Sequence, residues 1–205
     1  MPLFYQKNIN TTTSFAVWQI DETVPELLSL LENKEEYAHV YSLGKEHRQK
    51  EWLAVRVLLY NILGEHKSVD YAPSGKPFLA DNSFFISFSH TKKFAAVCIS
   101  TEGETGIDVE YRSDRVNRVV ERFLSPTEIE YAGNSNLYFL VAWCAKETAY
   151  KKLGEEGLDF AKHFFMEKIE VQQCGRFYLQ EFFTSLKNKY LLHYFVEDDF
   201  VVVVG

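Results

Sequence analysis

Apolar and polar positions along the chain follow two periods, and the switches between them mark the elements. Residues 14–20, Ser14-Phe15-Ala16-Val17-Trp18-Gln19-Ile20, alternate well enough for a strand, whereas Val24 to Tyr41 keeps a helical period opened by Thr23-Val24-Pro25. A second helical stretch, Lys45 to Leu63, sets Trp52, Leu53, Val55, Leu58, Leu59 and Ile62 at apolar positions, carries Arg48 and Arg56 among them, and stops at Gly64. Tyr71 to Leu79 reads as a turn: Gly75 permits a tight backbone and Pro77 excludes helix or central strand. Residues 84–99 then read as strand, turn, strand around Thr91-Lys92-Lys93.

A polar link, Ser100 to Thr105, leads into the short strand Gly106-Ile107-Asp108-Val109-Glu110. Val116 to Phe123 reads as helix. Ser125, Pro126 and Glu128 supply the cap, first residue and capping-box partner of the next helix, and local structure is expected to account for all three. In the long helix that follows, Leu137, Leu140, Val141, Cys144 and Thr148 form one stripe at about 100° per residue, with Glu147 and Lys151 within or beside it. Strand-like segments around 164–171, 176–183, 189–196 and 199–204 close the chain.

The stretch Tyr194 to Val204 has the strand, polar turn, Phe, small-apolar strand layout of Ile86 to Ile99, about half a chain later, and each copy follows a long helix. An internal duplication explains that pattern. The expected fold is therefore α+β: two similar lobes in one chain, a pseudo-dimer, each a small antiparallel sheet packed with a long helix, with the active site in the cleft between them. The polar link divides the lobes into residues 1–102 and 103–205.

Composition narrows the class. A chain of 205 residues, 46% hydrophobic and 16% aromatic, can bury a substantial core. It holds no apolar run of about 18 residues. Met1-Pro2-Leu3-Phe4-Tyr5 lacks the basic start and apolar core of a secretory leader. Cys98, Cys144 and Cys174 are odd in number and lack metal-ligand spacing, so free thiols and a cytoplasmic location are expected. The net charge of −7 argues against nucleic-acid binding and leaves any anionic ligand to particular residues.

The candidate chemistry lies between Gly106 and Gly154. Side chains alternate along a strand, so Asp108 and Glu110 share one face while Ile107 and Val109 take the other. Glu147 and Lys151, four apart on the long helix, point inward; an ordinary ion pair on a helix surface would point outward. Clustered carboxylates repel unless a cation or proton offsets them, and an all-oxygen set suits Mg²⁺, which recruits phosphate oxygens. In the first half, Lys76 sits on a stiff turn and Ser89-His90 ends a strand, both ordinary exposed features that also suit an anion. Arg48 and Arg56 are ambiguous between solvated and functional roles.

Four blocks in order, Gly75-Lys76-Pro77, Ser89-His90, Gly106-Ile107-Asp108-Val109-Glu110, and Trp143-x-x-Lys146-Glu147-x-x-x-Lys151-x-x-Gly154, together resemble the 4′-phosphopantetheinyl transferase superfamily in its pseudo-dimeric, surfactin-synthetase-activating branch. Arg122-Phe123-Leu124-Ser125-Pro126 fits the segment between the last two. The resemblance implies an enzyme of the holo-[acyl-carrier-protein] synthase type. Coenzyme A, as co-substrate, donates its phosphopantetheine arm to a serine of an apo acyl or peptidyl carrier protein, releasing 3′,5′-ADP. It also implies that Asp108, Glu110 and Glu147 hold Mg²⁺, with Mn²⁺ as a substitute. Glu147 and Lys151 become catalytic together with Asp108, and Arg48, Arg56, Lys76, Ser89, His90 and Lys151 contact the coenzyme. A monomer, without nucleic-acid or membrane partners, is the expected state. The rival readings are a non-catalytic coenzyme A or carrier-binding module of the same fold, and another Mg²⁺-dependent phosphoesterase.

Overall fold

The computed structural model describes residues 4–32 and 34–205. Residues 1–3, part of the stretch read for a leader, and residue 33, inside the helix expected over 24–41, lie outside the described residues. The chain forms two compact units, Met1–Gly103 and Glu104–Gly205.

The first unit opens with strands β1 (Phe4–Asn8) and β2 (Thr13–Gln19), followed by helix α1 (Val24–Ser29). Thr23 and Glu26 close a reciprocal capping box with Pro25 in the first turn, so α1 starts as the sequence indicates. It does not run on to Tyr41. The Leu30 N–H turns back to the carbonyls of Leu27 and Leu28, and a separate 3-10 helix forms over Lys34–Ser42. Only Tyr37 and Val40 of that segment are buried, three residues apart, which suits three residues per turn better than 3.6. Helix α2 (Glu46–Leu63) then ends at Gly64, whose φ of 71° is the left-handed conformation that closes a helix.

A small hairpin, β3 (Val69–Tyr71) with β4 (Pro77–Leu79), turns through Gly75 at φ 80°. Strands β5 (Phe85–His90) and β6 (Phe94–Ser100) complete the antiparallel sheet in the order β1-β2-β6-β5. Leu53, Ala54, Val57 and Leu58 of α2 share a buried cluster with Ala16, Trp18, Ile86, Ala95 and Val97 of the sheet. Each fully buried aliphatic side chain there contributes roughly 1.5–3 kcal/mol.

The second unit begins with β7 (Ile107–Tyr111) and a 3-10 helix over Asp114–Arg122, where the sequence indicated a helix from 116 to 123. Helices α3 (Pro126–Ala132), α4 (Asn136–Leu153) and the single turn α5 (Phe160–His163) follow. Strands β8 (Phe164–Met166), β9 (Cys174–Glu181), β10 (Lys189–Val196) and β11 (Phe200–Val204) build an antiparallel sheet in the order β7-β11-β10-β9-β8. Helix α4 lays Leu140, Val141, Cys144, Ala145 and Ala149 on Leu192, Tyr194, Val201 and Val203. The mixed α+β architecture with antiparallel sheets is as the periodicity indicated.

Within each unit the chain takes one route: a strand, later an 18-residue helix, then a hairpin whose second strand pairs back onto the first strand. Those elements are β2, α2 and β5-β6 in one unit, and β7, α4 and β10-β11 in the other.

Candidate active site

Asp108 and Glu110 share one face of β7, Gly106 immediately precedes the strand, and α4 lies directly on it. A Cβ at Gly106 would stand 2.2 Å from the Thr148 carbonyl oxygen, so only glycine allows the helix this close. The Thr148 hydroxyl donates to the Val203 carbonyl at 3.0 Å and ties the helix to β11 as well. Asp108 and Glu110 pair across the ladder with Val203 and Val201, so both acids lie on the core side of the sheet. Ile107 and Val109, on the other face, are also buried.

From α4, residues 143, 147 and 151 follow at four-residue spacing along the side that meets this strand. Lys151 donates from Nζ to Asp108 Oδ1 at 2.8 Å and to the Ile107 carbonyl at 2.9 Å. The Trp143 indole N–H donates to Glu110 Oε1 at 3.2 Å, and its ring meets Phe123 edge-on at 5.2 Å. Strand edge and helix thus bring Asp108, Glu110, Glu147 and Lys151 into one cluster.

The cluster is short of positive charge. Burial pushes the Glu110 carboxyl up to about 7, and the charges of Asp108 and Glu147 add to the rise against the pull of Trp143 and Lys151. Burial, with Asp108 beside it, likewise lifts Glu147 to about 7. The Cys144 thiol, sealed under the same acids, is pushed up by burial first and by their charges second. Among the described residues, no three His, Cys, Asp or Glu side chains form a ready cage for an ion, and here the Lys151 ammonium sits on Asp108. The chemistry of the donors still fits a hard divalent cation: three carboxylates on two rigid elements, two of them pushed toward the proton-bound form for want of positive charge.

Lys146, inside the same sequence block, does something else. It is fully buried and donates to Glu128 Oε2 at 2.8 Å, the Phe164 carbonyl at 2.8 Å and the Phe160 carbonyl at 3.2 Å, which uses all three of its protons. Glu128 closes the expected capping box with Ser125 and also accepts the Met166 N–H at 2.9 Å. Local structure therefore explains Glu128 only in part. Its carboxylate joins α3, α4 and β8, a role 18 residues of separation hide and the capping box itself masks.

In the first unit the expected anion contacts fall into separate places. Arg48 and His90 meet at one buried carboxylate, Glu51, at 2.9 and 3.4 Å. Sequence reasoning passed over Glu51; the signal was an acid among apolar residues of α2. Ser89 is buried and its neighbour His90 exposed, as strand alternation requires. Lys76 lies in the β3-β4 turn, where the Ala72 N–H meets its carbonyl at 2.9 Å. Arg56 lines a different place, a pocket of about 280 Å³ whose walls include none of Arg48, Lys76, Ser89 and His90.

An acid-base cluster thus spans strand and helix and offers oxygen donors suited to a divalent cation. Residues 104–204 match the 4′-phosphopantetheinyl transferase superfamily. Among curated relatives, slr0495 of Synechocystis sp., assigned by name to the 4′-phosphopantetheinyl transferases, is 28% identical over 116 residues, 50% of this chain and 47% of that protein. The 4′-phosphopantetheinyl transferase AcpT of Salmonella typhi is 38% identical over 71 residues, 34% of this chain and 37% of its own length. Protein YieE of Escherichia coli K12, whose function is uncharacterized, is 30% identical over 99 residues, 45% of this chain and 39% of its own. The chain thus spans less than half the length of these relatives.

Proposed function

We propose that this protein transfers the 4′-phosphopantetheine arm of coenzyme A to a serine of an apo acyl or peptidyl carrier protein and releases 3′,5′-ADP. The observation that carries the reading is the Asp108, Glu110, Glu147 and Lys151 cluster, with two carboxyls held at about 7, inside the segment that matches the superfamily.

In this reading Asp108, Glu110 and Glu147 hold Mg²⁺, or Mn²⁺ in its place. The ion would screen the negative charge of the coenzyme's pyrophosphate during displacement. Glu147 takes the proton from the carrier serine hydroxyl as general base. The serine oxygen forms its bond to the pantetheine-side phosphorus, the bridge to the nucleotide phosphate breaks, and the electron pair leaves on 3′,5′-ADP. Lys151, whose ammonium already sits among these oxygens, meets the charge on that leaving group. Asp108 and Glu110 hold the acidic side of the site in place, Glu110 steadied by Trp143.

Arg48, Lys76, Ser89 and His90 of the first unit grip the coenzyme's phosphates in this scheme. The shared strand, helix and hairpin route of the two units supports an internal duplication, with the metal residues supplied by the second lobe. The duplicated frame favours a monomer. No described helix is long and apolar enough to cross a membrane. The cytoplasm is the compartment we assign, on the free thiols of Cys98, Cys144 and Cys174.

Chromatographic detection of 3′,5′-ADP tests the reaction. Release should require both coenzyme A and an apo carrier protein, and should vanish in Asp108→Ala and Glu147→Ala. Release without a carrier would instead make the protein a phosphoesterase, and binding of coenzyme A without any release would make it a non-catalytic module.

A further inference from the structure

The exposed apolar side chains of the second unit gather on one hairpin. Among its described residues the exposed large hydrophobic ones are Tyr178, Phe182, Phe183, Leu186 and Leu191, and all five belong to β9, β10 or the loop between them. Tyr178 and Leu191 stand directly opposite each other in the ladder, on the face turned away from the core. Single exposed apolar residues are common, whereas a concentration of them marks a contact surface. The loop holds its share of them out. Glu181, fully buried, accepts the N–H groups of Phe183 and Thr184 at 2.9 Å and of Asn188 at 2.8 Å, together with the Thr184 hydroxyl. A loop folded around one buried carboxylate keeps its backbone, so little ordering remains to be lost when a partner docks.

The charge presented by this hairpin has one sign. Between Cys174 and Val196 the chain carries Arg176, Lys187 and Lys189 against a single acid, Glu181, whose oxygens are spent on the loop. Among the described residues none of the three cations has a carboxylate within ion-pair distance, and the Lys189 ammonium stands 4.3 Å over the Tyr178 ring, at the apolar surface itself. In a chain of net charge −7 this is a local reversal, and the surface that complements it is acidic with apolar side chains of its own. The loop also leads to the catalytic helix. The Phe182 N–H donates to the His163 carbonyl at 2.8 Å, and the Phe183 ring lies 5.1 Å from the His163 ring at the end of α5. The carbonyls of Phe160 in that turn and of Phe164 just after it receive Lys146, the neighbour of Glu147. Across the ladder Asp108 pairs with Val203, and Val203 with Tyr194 on the strand that starts at Lys189. At about 4.8 Å between strands and about 3.4 Å per residue, Lys189 lies roughly 20 Å from Asp108, and a folded domain of about 100 residues, with a radius of gyration of about 13 Å, spans that distance.

We propose that the β9-β10 hairpin is the docking surface for the carrier protein, which seats an acidic, apolar-edged face on Phe182, Leu186, Lys187 and Lys189 while its serine reaches the Asp108 and Glu147 cluster. This docking rests on the transfer reading and adds the place where the protein substrate is held.

The test compares the full chain with two double variants, Phe182→Ser with Leu186→Ser and Lys187→Glu with Lys189→Glu, whose four side chains are all exposed; urea denaturation checks that each variant folds. With transfer read as the mass gain of an apo acyl carrier protein, each variant should raise KM for the carrier about ten-fold or more and leave KM for coenzyme A unchanged. Added sodium chloride should raise the carrier's KM for the unmodified chain and far less for the charge-reversed variant. With the ¹⁵N-labelled chain and no coenzyme A, the apo carrier should shift the amides from Phe182 to Lys189. Those shifts without any transfer would support the docking and sink only the reaction. Intact transfer with an unchanged carrier KM in both variants overturns the docking and leaves the reaction standing. Neither transfer nor carrier-induced shifts, across several carriers, overturns both. Binding to phosphatidylglycerol vesicles, or a concentration-dependent dimer, that the variants lose while the carrier's KM holds would assign the hairpin to a lipid surface or a second copy and overturn the proposal.

Discussion

Helices α2 and α4 are the same length and close on glycines of almost the same φ, 71° at Gly64 and 72° at Gly154, yet the sheets beneath them carry opposite chemistry. When β6 and β11 are aligned on their first residues, Phe94 and Phe200, the partners of Val97 and Val203 are Ala16 in one unit and Asp108 in the other. One step along, the partners of Ala95 and Val201 are Trp18 and Glu110. The first unit shows that this frame closes around apolar residues at both places. Nothing in the packing demands carboxylates in the second, so the acids are a burden the fold carries for another reason. The helices differ in the same way. Arg56 and Lys146 stand at equal distance from their closing glycines, but Lys146 is saturated by Glu128 and two carbonyls, whereas Arg56 has no acid partner among the described residues and lines a pocket.

Exchanging the chemistry of one unit for that of the other should break the comparison most visibly at Asp108. Asp108→Ala installs the residue found at the matching place in β2, and should cut transfer roughly 10³-fold or more while urea denaturation shows the fold retained. Loss of folding would instead make Asp108 structural. Next in size is the buried pair. Lys146→Ala leaves the Glu128 carboxylate without its cation and should cost about 3–5 kcal/mol, read by urea denaturation, while Lys146→Met with Glu128→Leu should recover most of it. Gly106→Ala follows: a Cβ 2.2 Å from the Thr148 carbonyl oxygen must push β7 off α4, at roughly 1–3 kcal/mol and with loss of activity, because Asp108 moves with the strand.

The smallest effect is a pH dependence. Glu110 and Glu147 sit near 7 in the folded chain against an ordinary 4.5, so between those values the folded state holds protons that the unfolded state has released. Their contribution is full below about 4.5 and declines as pH rises toward about 7, by roughly 1–3 kcal/mol in metal-free buffer. Glu147→Gln should flatten that decline, and added Mg²⁺ should stabilise the native chain more at pH 8 than at pH 5.5. A metal-free stability that rises across the same window in step with Glu147 would reverse the account of the cluster.

Much of this was legible from period and punctuation. The alternation around Thr91-Lys92-Lys93 gave β5 and β6, Gly64 marked the end of α2, and Ser125-Pro126 with Glu128 marked the start of α3. Helical spacing also placed Glu147 and Lys151 toward the core, where the structure has them. What escaped were features that local patterns do not encode. Strand β1 has no alternation to see and pairs along its length with β2. The helix expected over 24–41 breaks because the buried spacing of Tyr37 and Val40 favours the tighter 3-10 turn. The Lys146 and Glu128 pair, the contact of Gly106 with Thr148 and the meeting of Arg48 with His90 at Glu51 all join residues far apart along the chain. A lone arginine on a helix looks the same in sequence whether it is solvated, paired or set under a pocket.

The central claim is that the charged cluster of the second unit performs phosphopantetheinyl transfer, and one measurement reaches it directly. An apo acyl carrier protein is incubated with this protein, coenzyme A and Mg²⁺, with a parallel sample in EDTA, and the intact mass of the carrier is read. The account predicts that the carrier gains the mass of one phosphopantetheine arm, that EDTA prevents it, and that Glu147→Ala does not support it. A carrier whose mass is unchanged under all conditions, across several carriers and with coenzyme A binding measurable, would contradict it.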